Sequence, residues 1–117
     1  MKMDVKTVTG TTEILASDDY QAVPVEITES DAVLAGMPIT AAGKSAPTGA
    51  NAIGILLYDV NPAQNPNAAV VVDGIIDWGK AKKHNASITA TAANIAKILP
   101  NIVFRENGVT SVWTANV

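Results

Sequence analysis

Two nearly unbroken apolar runs, residues 52–60 and 68–78, stand on either side of a short loop, and their spacing constrains the chain more than any other feature. The first, Ala52-Ile53-Gly54-Ile55-Leu56-Leu57-Tyr58-Asp59-Val60, reads as a central strand in which Gly54 would permit close backbone approach or a bulge. The second, from Ala68 to Trp78, reads as another buried strand, interrupted at Asp73-Gly74. Between them Asn61, Pro62, Asn65, Pro66 and Asn67 favour turn geometry. So short a connection joins antiparallel neighbours, because a parallel pair needs a crossover of about a dozen residues or more. The centre of the chain is therefore a pair of antiparallel strands.

The remaining segments extend this β pattern. Val23, Val25 and Ile27 alternate along residues 22–28, the mark of a half-buried strand, and Pro24 belongs on its outer edge because it has no backbone donor. Gly36 and Met37-Pro38 bend residues 33–39 between two short strands. Residues 43–49 are a loop by their Gly, Pro and Ser content. One segment changes period: Ala92, Ile95, Ala96, Ile98 and Leu99 share a helical face within residues 88–99, Pro100 ends it, and Ser87, Thr89 or Thr91 caps its start. Ile102-Val103-Phe104-Arg105 returns to strand character, Glu106-Asn107-Gly108 is a hairpin-type turn, and residues 109–117 alternate as a last strand. The expected fold is mostly β with one short helix, a single domain over residues 21–117.

Residues 1–20 stand apart. The stretch from Lys2 to Glu13 is Thr-rich and alternating, with Val5 and Val8 as its only sizeable branched apolar side chains. Too few apolar groups are present to anchor it in a core of its own, although Thr and Val favour extended backbone. Two readings remain open: a frayed end, or an arm that becomes a strand beside a partner's sheet edge.

Composition narrows the chemistry. No cysteine means no disulfide, thiolate nucleophile or Cys-based zinc site, and the one histidine, His84, leaves little room for a metal site or a triad. A net charge of −3 gives no sign of nucleic acid. No apolar run reaches the length of a membrane span, and the first residues lack the apolar core of a signal peptide, so an intracellular origin is expected. Asp18-Asp19 is the only adjacent carboxylate pair, in a loop where a solvated role is expected. Lys80, Lys82 and Lys83 read as a solvated connector between strand and helix, and His84 as an exposed side chain within it. Gly43-Lys44-Ser45 copies the end of a phosphate loop without its preceding glycine or strand. Trp78 and Trp113 read as core or interface anchors. No catalytic constellation emerges, and the expectation is a protein that is not an enzyme and works through its surface.

Three segments carry a resemblance: Val33-Leu34-Ala35-Gly36-Met37-Pro38-Ile39, Ile53-Gly54-Ile55-Leu56-Leu57-Tyr58-Asp59-Val60 and Ala69-Val70-Val71-Val72-Asp73-Gly74. With the Ala-rich helix at 90–99 and the strand Ile102-Val103-Phe104, their order and spacing resemble the lambda-type head decoration, or capsid-stabilising, proteins of tailed bacteriophages. The similarity covers roughly residues 22–108 and lies in hydrophobic patterns. It implies a small β-tulip-like barrel or sandwich with an extended N-terminal arm. It further implies two partners, the major capsid protein and the chain itself as a homotrimer, on threefold and quasi-threefold sites of the expanded capsid. The protein would be made in the host cytoplasm and would end on the outer capsid surface of the virion. Neither cofactor, nucleic acid nor membrane is implied. The arm residues Lys2, Asp4, Val5, Lys6, Thr7, Val8, Thr9 and Thr11 would bind the capsid, with Val5, Thr7 and Val8 adding a strand to a capsid sheet.

On that reading, the low charge, 16% of residues against 48% hydrophobic, belongs to surface destined for contacts. Other readings stay open. A head fibre or tail-tube component shares the β content, and a small β-barrel enzyme or ligand-binding domain would need a pocket with convergent polar groups.

Overall fold

The computed structural model describes residues 13–17 and 19–106. Among them the elements run β1 (Gln21–Glu26), β2 (Pro38–Thr40), β3 (Ala52–Leu56), β4 (Asn67–Asp77), α1 (Trp78–His84), α2 (Ala92–Ile98) and β5 (Ile102–Arg105). The strands make one mostly antiparallel sheet in the order β1-β4-β3-β2, with β5 added to β4 in parallel.

The two apolar runs pair antiparallel as their loop requires. Ile55 lies opposite Val71 and Leu56 opposite Val70. All four are fully buried, so this pair is covered on both faces, which is why the sequence here does not alternate. Gly54 is the point of close approach: a Cβ there would collide with the Val71 carbonyl oxygen and sit 2.6 Å from Val70 Cγ1.

The expected interruption at Asp73-Gly74 is instead a change of partners within one strand. Up to Asp73, β4 pairs with β1 and β3; from Gly74 onward it pairs with β5 and, at Ile76, with Leu15. Gly74 takes φ +145, a conformation L side chains rarely adopt, and an added Cβ would stand 2.9 Å from the Tyr20 Cβ.

β1 is an edge strand, which leaves it more exposed than the half-buried expectation. Val25 is partly covered and Ile27 buried, but Val23 is 37% exposed. The Ile27 N–H donates to the Pro66 carbonyl beside β4, so the odd-numbered residues of β1 face β4 and Pro24 faces outward. Its missing donor lies on the free edge, as expected. Just beyond β1 the Thr28 N–H donates to the Gly43 carbonyl, and the Thr28 hydroxyl to the Ala42 carbonyl. The loop after β2 thus meets the chain just after β1.

The single expected helix is one of two. Thr91 caps α2 by accepting from the Asn94 N–H, and the helix keeps within its expected span. The other, α1, replaces the expected end of a strand and solvated connector. Asp77 caps it by accepting from the Lys80 N–H at 3.0 Å, and Trp78 and Ala81 bury one face. Lys82, Lys83 and His84 sit in its last turn, where cations favour the helix dipole. Asp77→Ala removes the cap and should lower stability by about 1 kcal/mol, read as a shift in the urea midpoint at unchanged slope.

A correction also falls on the expected arm. Ile14 is fully buried, the Ala16 N–H donates to the Ile75 carbonyl, and the Asp77 N–H donates to the Ile14 carbonyl. Residues 14–16 therefore belong to the folded domain, because the apolar pair Ile14-Leu15 finds cover and backbone partners on β4. The turn at Asn107 and Gly108, the strand at 109–117 and Trp113 lie outside the described residues.

Candidate functional site

The place where the chain joins β4 is the candidate site. Glu13 folds back so that its carboxylate accepts from the Leu15 N–H at 3.1 Å, and Leu15 bridges to Ile76. Two tyrosines stand near this root. Tyr20 follows it and rests against Gly74, which has no side chain to displace it; it is 38% exposed. Tyr58, half exposed, leaves the end of the β3 run. Its hydroxyl is held above the usual phenol range, chiefly by partial desolvation and further by the negative charge that Tyr20 and Glu13 can carry. Tyr58 thus feels the charge of both residues from across the chain. The capsid-binding candidates Lys2, Asp4, Val5, Lys6, Thr7, Val8, Thr9 and Thr11 lie outside the described residues, directly upstream of this root.

Sequence reasoning passed over Ile14, Leu15, Tyr20 and Tyr58. The usable signal was the apolar pair Ile14-Leu15 closing a polar stretch, together with the rarity of aromatics, 4% of the chain.

Other candidates resolve into structural roles. Gly43-Lys44-Ser45 has all three backbone donors engaged within the domain: Gly43 to the Thr40 carbonyl, Lys44 to the Thr40 hydroxyl oxygen Oγ1, and Ser45 to Glu29 Oε2 at 2.7 Å. The Ser45 hydroxyl donates to the same carboxylate. A phosphate would meet spent donors and a negative charge, so this segment is no anion cradle. Asp18 lies outside the described residues; Asp19 is exposed and its N–H donates to Ser17 Oγ.

The cationic cluster is divided. Lys82 pairs with Glu106. His84, expected to be exposed, is largely covered: its Nε2 lies 2.8 Å from Asp59 Oδ1, which also accepts from the Ala35 N–H at 2.8 Å. Next to it the buried Asn85 donates from Nδ2 to the Leu34 carbonyl and accepts from the Ser87 N–H. Together they tie the end of α1 to the bend at 34–36 and to the loop after β3. Trp78 is a core anchor as expected: it is fully buried, donates from Nε1 to the Ala90 carbonyl, and meets Phe104 edge-on at 5.1 Å.

A cleft of about 340 Å³ lies between Val33, Leu34, Met37, Ser45, Pro47 and Asn85. The polar groups of Ser45 and Asn85 are turned to partners in the domain, and no carboxylate is among the residues that line it. Among the described residues no group of three or more His, Cys, Asp or Glu gathers to hold a metal ion, and no helix is long and apolar enough to cross a membrane. No protein-family model matches the chain, and neither a curated protein nor a solved structure matches it.

Proposed function

We propose that the chain is a capsid decoration protein of the lambda type, a cement that sits on the outer surface of an expanded bacteriophage head. In this reading it binds the major capsid protein as a homotrimer at threefold and quasi-threefold sites, and the curled sheet is a β-tulip-like barrel. The observation that carries the reading is the anchored root. Ile14, Leu15 and Ala16 are sewn to β4, so the Thr- and Val-rich residues before them are tethered to a fixed point on a rigid sheet. A tether of that kind suits strand addition, in which main-chain hydrogen bonds give affinity and alternate side chains give selectivity. Twelve extended residues reach at most about 40 Å from the root, far enough to lie across a neighbouring subunit.

A ligand of one capsid state stabilises that state by mass action. Saturating undecorated expanded heads with the protein should therefore raise the temperature at which they rupture and release DNA, followed by dye access to the genome. A rupture temperature that stays the same at saturating protein contradicts the cement role.

A further inference from the structure

We propose that copies of this chain meet head to tail, the β1 edge of one copy against the edge formed by β5, α1 and α2 of the next. The inference names the contact that would close the proposed trimer, and it rests on that reading for its copy number.

The two edges are distinct surfaces. At Val71, β4 has Ala22 of β1 on one side and Ile55 of β3 on the other. α2 lies on the β3 side: Gly49, just ahead of β3, faces Ile95 and Ile98, and α2 packs on β5. The β1 edge is acidic. Asp19 and Glu26 are exposed along it and Asp73 is exposed one strand in, on β4 opposite Gln21, and among the described residues no cation pairs with them. Lys44, at the far end, turns its ammonium back to the Thr28 carbonyl. The opposite edge is basic. Its acids are engaged, Asp77 in the α1 cap, Glu106 with Lys82 and Asp59 with His84. That leaves Lys80, Lys83 and Lys97 exposed, and among the described residues no carboxylate pairs with them.

Each charged edge also carries apolar surface: Tyr20 and Val23 on the acidic side, Ile98 and half-exposed Val103 on the basic side. Opposite charge around exposed apolar groups is the pattern by which two protein surfaces find and hold each other. The contact runs through side chains and not through an extended ladder, because Pro24 withholds a donor from the free edge of β1. Since the two patches differ, the contact is heterologous and closes into a ring when its rotation permits.

Sedimentation of the full chain tests this. The wild type should self-associate at about 0.15 M salt and weaken toward 1 M, where the Debye length falls to about 3 Å. Glu26→Lys with Asp73→Lys, or Lys80→Glu with Lys83→Glu, should each weaken association at least tenfold, and all four together in one chain should restore it. Circular dichroism reports whether each variant folds; where one does not, Glu26→Gln with Asp73→Asn, or Lys80→Gln with Lys83→Gln, should weaken association in the same direction. A wild type that is monomeric at every concentration, or association that ignores the substitutions, or a fourfold variant that stays apart, overturns the inference. Binding to expanded shells, measured separately, reports on the proposed function: monomers that bind shells would sink the head-to-tail contact alone, and rings that ignore shells would sink the capsid reading alone.

Discussion

Removing residues 1–12 is expected to leave a folded domain that has lost most of its affinity for expanded capsids. The cut spares Glu13, whose carboxylate holds the Leu15 N–H, and it spares buried Ile14 and the backbone bonds of residues 14–16 to β4. The unfolding midpoint should therefore change little. If the arm adds a strand to a capsid sheet, about four ladder hydrogen bonds at about 1 kcal/mol each are lost. That sum of about 4 kcal/mol corresponds to roughly a thousandfold in affinity. Paired measurements on the truncated chain, calorimetric unfolding and shell binding, separate the two effects. Truncated protein that binds shells as tightly as the full chain contradicts the arm; truncated protein that unfolds would show that the root needs the arm to stay docked.

The largest stability loss should come from Trp78→Ala. Trp78 opens α1, is fully buried, holds Ala90 through its indole N–H, and stands edge-on to Phe104 of β5. Removing it empties the junction between β4, α1 and β5 and leaves the Ala90 carbonyl without its donor. The expected cost is about 3–5 kcal/mol, the range for a large ring removed from a packed core. Trp78→Phe keeps most of the volume and the ring contact but not the donor, and should cost less. Urea unfolding of the two variants checks the order, and equal losses would show that the indole hydrogen bond dominates over the cavity.

The parts of this fold that could be read beforehand are those where one periodic signal dominates. The runs around Ile55 and Val71 had length, β-branching and a short loop in agreement, and they pair as read. α2 had Thr91, a run of Ala and Ile at helical spacing, and Pro100. α1 was hidden because only Trp78 and Ala81 of its seven residues are buried, Gly79 weakens its helical signal, and the strand before it runs into Trp78 without a break. Its start is set by a tertiary fact, the turn of β4 against Leu15 and β5, with Asp77 placed to cap.

The candidate site was legible only in outline. A polar, Thr-rich leader suggested an arm, but its boundary depends on Ile14 finding cover on β4, which no local pattern states. Tyr20 and Tyr58 are distant in sequence, and that Tyr58 feels the charge of Tyr20 and Glu13 depends on the tertiary fold and not on any local pattern. His84 was read as solvated because its neighbours are lysines; its partner Asp59 comes from a loop that only the tertiary fold brings near. Low charge points to contact surface only on the decoration reading; what the structure adds is which large apolar side chains are exposed among the described residues, Tyr20, Val23, Leu34, Ile53, Tyr58, Ile98 and Val103.

The most direct test of the cement account is a comparison of two shells of the same phage, unexpanded and expanded, each incubated with purified protein and then pelleted. The account predicts saturable binding to the expanded lattice at a fixed ratio to the major capsid protein, and none to the unexpanded one. Equal binding to both shells, or binding to neither, would contradict it.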